Sequence, residues 1–407
     1  MDRPSHSRWL CRFALLTTAA TLVLVVIGGL VTSKGAGMAV PDWPTSYGYN
    51  MFWLPISWWK GGVFYEHTHR LFAVLVGILT SLLAAWIWGR ETVGRERWAG
   101  WLVILALVAM LGHRGSGNAA GGTAGVPFHF KLLAVLVPLL LAFAVAQSVR
   151  TRGSLRWLGM TAFFAVIFQG ILGGFRVALY KDQIGILHGA LAQLFFTFLC
   201  LITILLGRAW NEADPNVIPE EGRLRRWYTA AALLILAQLI LGATMRHQHA
   251  GLAILDFPLA HGQLWPETGA EAILRYNQQR TELIALNPIT AAQVHLQMLH
   301  RCLAILIVVA VAISVWLTLK RAARGNALRK IALVWLALIA VQAALGVLTV
   351  LRNKPADIAT AHVLFGALSL ATGAALVLLT WRAKILGFTP GAAVLSLPDT
   401  RATGAVI

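Results

Sequence analysis

Four histidines are placed where imidazole chemistry can be organised: His69, His188, His300 and His362. Each falls near one end of a long apolar run, and they separate into two pairs, His69 with His188 and His300 with His362. Neutral imidazoles on facing helices suit axial ligation of a haem iron. Ionisable residues within membrane-crossing segments are functional by default. The plain alternative is hydrogen bonding between helices, and two pairs in equivalent places argue against it. Glu66 precedes His69 by three residues, so both share one helix face. The equivalent position before His300 is Gln297. Matching sites that differ by one carboxylate suggest one reactive site and one electron-transfer site. Glu66 is the candidate catalytic residue, to move protons or stabilise developing positive charge. Its plainer role is a water-exposed carboxylate favoured by the helix dipole.

Arg70 and Arg301 directly follow two of the histidines. They suit bidentate contacts with haem propionates or snorkelling to the membrane interface. Arg176 and Arg246 invite the same reading with less support. His67 competes with His69, but the repeat phase selects His69 because His300 aligns with it. His295 has no partner in the first half. His113, His129, His247, His249 and His261 fall in or near outer loops, where solvated or interfacial roles are expected. Asp42 and Asp256 fit turns that accept backbone N–H groups.

The elements that position these residues are membrane helices. Of the 407 residues 58% are hydrophobic and 12% charged, against about 25% charged in soluble chains. Apolar runs near or above ~18 residues are long enough to cross the bilayer, which leaves helices to satisfy the backbone. Ten spans are expected, at 13–32, 66–88, 98–112, 129–148, 157–178, 184–207, 227–246, 290–318, 330–351 and 359–382, the third being short. The first is preceded by Arg3, Arg8 and Arg12 and is read as an uncleaved helix.

Three segments recur in order. Gly35 to Pro44 resembles His249 to Pro258; Glu66 to Arg70 aligns with Gln297 to Arg301; Gln169 through Gly173 to Val177 aligns with Gln342 through Gly346 to Val350. The expected fold is therefore an all-α integral membrane bundle of two four-helix repeats, related by a pseudo-two-fold axis along the membrane normal. Residues 1–207 form the first repeat, 208–384 the second and 385–407 a cytoplasmic tail. Between its two histidines the first repeat has about 57 extra residues, a two-helix insertion at about 98–148.

The formal charge of +18 lies in short segments between apolar runs. That is a positive-inside signal, not a nucleic-acid surface, and it places both termini in the cytoplasm. Cys11, Cys200 and Cys302 have no metal or disulfide spacing, and Cys200 and Cys302 are expected as buried thiols. There is no phosphate-binding loop, dinucleotide fingerprint or HExxH motif.

The EHTHR stretch at Glu66–Arg70, QGILGGFRV from Gln169 to Val177 leading to His188, MLHR at Met298–Arg301, and His362 together resemble the haem A synthase family. The resemblance implies an inner-membrane enzyme that oxidises the C8 methyl of haem O to a formyl group, with oxygen from water, for terminal oxidases. His69 and His188 would then flank haem O, His300 and His362 would ligate a haem b, and haem A would leave as product. It further implies haem O synthase, a protohaem farnesyltransferase, as a neighbour, and an electron acceptor that the sequence does not name. Gly-rich helix faces suit self-association. Two features depart from the pattern: no cysteine pair lies in 33–65, and the insertion makes ten spans instead of eight. Two rivals are a di-haem, quinone-linked electron carrier and, further off, a repeat-built transporter.

Overall fold

The computed structural model describes residues 7–112, 128–207, 210, 222–280, 288–322, 324 and 326–385. Its helices are α1 (Arg8–Ser33), α2 (Gly61–Glu91), α3 (Gly94–Gly112), α4 (Phe128–Arg150), α5 (Leu155–Leu179), α6 (Asp182–Leu206), α7 (Gly222–His247), α8 (Ala270–Gln279), α9 (Ala291–Arg321), α10 (Ala327–Leu351) and α11 (Ala356–Ile385). All ten expected segments are helical. Among the described residues, nine helices are long and apolar enough to cross a membrane. The tenth, α3, has 19 residues but opens with Arg95, Glu96 and Arg97. The chain is an integral membrane helical bundle. His113 and nearly all of the 385–407 tail lie outside the described residues.

Two quartets of helices each close into a ring. α1 packs on α2, α2 on α5, α5 on α6, and α6 back on α1; α7, α9, α10 and α11 pack in the same cyclic order. The rings meet where α1 touches α11, α6 touches α7 and α6 touches α11. Exchanging the quartets in sequence order leaves this set of neighbours unchanged. α3 and α4 stand outside the first ring, on α2 and α5 respectively. Ile104 and Leu107 of α3 join Phe130, Leu133 and Val137 of α4 in one apolar cluster.

Local sequence explains several boundaries. Thr290 and Gln293 form a reciprocal capping box at the start of α9, and the Asn326 side chain caps α10. Buried hydroxyls are satisfied within their own helices: Thr17, Thr18 and Thr21 each donate to the carbonyl four residues back. Helix α8, in the second outer loop, was not expected; its signal is Ala272 and Tyr276, buried one turn apart. Cys302 corrects another expectation, because it is exposed, not buried. It borders a cavity together with Ile305, while Leu299 and Leu306 on the same stretch of α9 are exposed and suited to hydrocarbon.

Trp43 anchors the first outer loop. Its ring lies 4.4 Å from that of Phe130 on α4, and a Cβ on Gly174 of α5 would fall 2.2 Å from it. Gly174→Leu should displace Trp43 and destabilise the protein by about 1–3 kcal/mol. Thermal unfolding in detergent checks this, and an unchanged midpoint would mean that Trp43 has another seat.

Candidate functional site

Each of the four histidines faces a glycine on a neighbouring helix. A Cβ on Gly28 (α1) would lie 3.0 Å from His69 Cε1, and one on Gly173 (α5) 3.3 Å from His188 Cε1. In the second quartet, Gly242 (α7) would place it 3.3 Å from His300 Cε1 and Gly346 (α10) 3.2 Å from His362 Cε1. A side chain at any of these positions would press on the imidazole and require it to give by a few tenths of an ångström. Gly173 and Gly346 belong to a recurring segment recognised in the sequence. Gly28 and Gly242 were missed, although the register that pairs Gly35 with His249 also pairs them.

All four rings line one continuous cavity of about 1670 Å³ with mostly apolar walls. That exceeds the roughly 300–1,000 Å³ of a pocket for a single small ligand. The rings of His69 and His188 have centroids 6.5 Å apart and planes at 88°. A metal bound at ~2.0 Å from a nitrogen of each ring requires about this separation. His362 Nδ1 donates to the Gln342 carbonyl at 3.1 Å, which leaves Nε2 as the lone-pair donor. The Nδ1 atoms of His69 and His300 are buried without a partner. Among the described residues no three His, Cys, Asp or Glu side chains cluster to hold a bare ion. Two neutral imidazoles and a glycine-cleared gap therefore fit a metal that brings its other ligands in a flat macrocycle, as haem does.

The motifs beside the histidines clamp the outer loops. Glu66 is buried at 4% exposure, which excludes the water-exposed role. Its Oε1 accepts from Arg70 at 2.7 Å and its Oε2 from the Val40 N–H at 2.8 Å. Arg70 donates also to the carbonyls of Val40, Asp42 and Thr45. In the second half Gln297 accepts from the Ile254 N–H at 2.7 Å and donates to the same residue's carbonyl. Arg301 reaches the carbonyls of Asp256 and Leu259. Arg70 and Arg301 thus hold loop backbone, and Arg70's terminal N–H groups are occupied by it, although Glu66, Arg70, Gln297 and Arg301 all border the cavity. Arg176, Arg246, His247 and Lys354 border it too. Burial, then the Arg246 charge, lower the pKa of Lys354. His67 instead packs against Trp59 with Nδ1 near Ser46, and His295 is exposed; neither borders the cavity. His261 stacks on Tyr276 at 3.6 Å.

Asp42 and Asp256 take the turn role. Asp42 accepts from the N–H groups of Tyr47 and Gly48, and Asp256 from those of His261 and Gly262. Burial pushes both carboxyls up, but hydrogen bonds from Gly48, Thr45 and Tyr47 for Asp42, and from Gly262 and His261 for Asp256, hold both below the usual range. Each therefore stabilises its loop fully above the unfolded-chain value of ~3.9, and the contribution is lost as pH falls through the lowered folded value. Pepsin should accordingly cleave 41–49 and 255–263 faster as pH drops below about 4, in excess of the change at a control site in a helix. Equal acceleration everywhere would remove the two aspartates as the cause.

A family model described as COX15-CtaA, cytochrome oxidase assembly protein, matches residues 129–374. A protein of Bartonella tribocorum named Heme A synthase is 23% identical over 373 residues, covering 89% of this chain and 88% of that one. The Heme A synthase of Methylobacterium nodulans is 26% identical, with 84% of both chains covered. That of Shouchella clausii is 25% identical over 64% of this chain and 67% of its own. The stretch matched by the family model holds His188, His300 and His362 and well over half of the chain, and on that ground this protein belongs to the COX15-CtaA family of cytochrome oxidase assembly proteins.

Proposed function

We propose that the protein is a haem A synthase, an oxidoreductase that converts the C8 methyl of haem O to a formyl group with oxygen taken from water. The observation that carries this reading is the pair of equivalent two-histidine seats on one cavity, distinguished by Glu66 against Gln297. His69 and His188 hold the iron of the substrate, haem O. His300 and His362 hold a haem b, which supplies one-electron transfer when bound. The basic residues after α2, α4, α6 and α9 support an inner-membrane orientation with both termini cytoplasmic.

Each residue has a physical task in this reading. The glycine-backed imidazoles fix the plane of the macrocycle, and the apolar walls keep bulk water from the reacting methyl. Glu66 places a buried negative charge on the substrate side, where positive charge develops as electrons leave carbon. In the second half Arg246 and Lys354 are adjacent cations that form no ion pair among the described residues and face the cavity, although Arg246 also donates to the Gly29 carbonyl and to Ser33 on α1. With Arg301 held by its loop contacts, Lys354 and Arg246 suit the propionates of haem b.

Haem extracted after co-expression with a haem O source tests the division. Wild type should yield haem B together with haem O or haem A. His69→Ala or His188→Ala should remove the prenylated haem, and His300→Ala or His362→Ala the haem B. Haem B alone in wild type would favour an electron carrier, and no haem would end the reading.

Glu66→Gln copies the second half's own solution, since an amide retains an acceptor for the Val40 N–H. It should keep both haems and lower haem A formation by about 10²-fold or more, the scale of a lost charge-stabilising or proton-handling group. Full haem A production would sink the assignment to Glu66.

A further inference from the structure

The cavity is not the same in the two halves. On α9 its wall ends at Val308, eight residues past His300, or about 12 Å along the helix. On α2 it continues past Gly77 and Ser81 to Ala85, sixteen residues past His69, or about 24 Å. The far wall of this extension is α3, through Trp101, Leu105 and Val108. The second quartet has no helix corresponding to α3 among the described residues.

The extension is a groove with a floor. The Trp101 indole donates to the Ala85 carbonyl at 3.0 Å, and that of Trp88 to the Glu96 carbonyl at 3.1 Å. Gly89 and Gly100 admit these rings, since Cβ atoms there would fall 2.7 Å from Trp101 and 2.0 Å from Trp88. Above the floor the groove is open: a Cβ on Gly77 would meet nothing within 4 Å. The Ser81 hydroxyl, facing this stretch, is turned back onto the Gly77 carbonyl at 2.7 Å. The walls therefore offer an entering group no free polar partner along this stretch of α2.

A long apolar groove with a floor at one end, opening beside His69, fits a linear hydrocarbon attached to whatever lies between His69 and His188. We propose that the α2–α3 groove binds the prenyl chain of the substrate porphyrin, and that forming it is the role of the 98–148 insertion. The inference rests on the placing of haem O between His69 and His188. The groove is longer than an extended farnesyl chain needs, and its continuity with the imidazole pair lets ring and chain bind together. The short Gln297-side cavity suits a haem without such a chain.

Ser81→Trp, in full-length protein, fills the groove and leaves the histidines in place. Prenylated haem per protein, resolved by chromatography from haem B, should fall about tenfold or more, because expelling even two methylenes has that effect. Haem B should stay at the wild-type level. Leu105→Trp narrows the groove from the α3 side and should reproduce the result. Val103→Trp, on α3 but away from the cavity, should change neither haem. Retention of prenylated haem by both groove variants overturns the proposal; retention with loss of co-purified phospholipid identifies the occupant as a lipid acyl chain. Loss of both haems in both groove variants also overturns it, by denying the groove any selectivity. Failure of the underlying functional reading shows separately, as a His69→Ala variant that keeps its prenylated haem.

Discussion

The structure depends on one close approach, repeated four times: an imidazole against the bare backbone of a glycine on the next helix. A methyl group at Gly28, Gly173, Gly242 or Gly346 would meet a ring carbon at 3.0–3.3 Å, so the four helix pairs pack this closely because a side chain is missing. In a membrane this is a familiar solution, since helices gain by packing and not by escape from water. Here it does a second thing. By removing bulk on one side of each ring, it fixes which way the ring must point, and the rings point into a shared cavity.

Much of this was visible in the sequence. The apolar runs gave ten helices because a bilayer permits few alternatives, and the in-order matches around His69, His188, His300 and His362 gave the pairing. What was hidden depended on contacts between distant segments. Glu66 read as a lone carboxylate near a helix start; its spacing to Arg70 is local, but nothing local disclosed the hydrogen bond it accepts from the Val40 N–H. Arg70 and Arg301 read as anion-binding residues because they stand beside histidines, whereas their N–H groups reach loop carbonyls some 25 to 45 residues earlier in the chain. Gly28 and Gly242 stood among many glycines, and only the ring facing each one distinguishes them.

The two outer loops show how a repeat can keep a geometry while changing its chemistry. Tyr47 and His261, equivalent in the repeat, have φ of 52° and 51°, and Gly48 and Gly262 have 76° and 77°. An aspartate organises each turn, and an arginine from the histidine helix holds each loop down. At the remaining anchor, a carboxylate and an amide both accept the same loop N–H. Gln297 makes that contact without charge, whereas the Glu66 carboxylate also pairs with Arg70 at 2.7 Å.

The carboxylate gives the two clamps different charges. The two clamps differ by one elementary negative charge, which at ~10 Å and an effective dielectric near 20 is worth roughly 1–2 kcal/mol. The Gln297 half adds Arg246 and Lys354 at its outer end. The two ends of one cavity therefore differ in potential, the Glu66 half being the less positive even with Arg176 on its side.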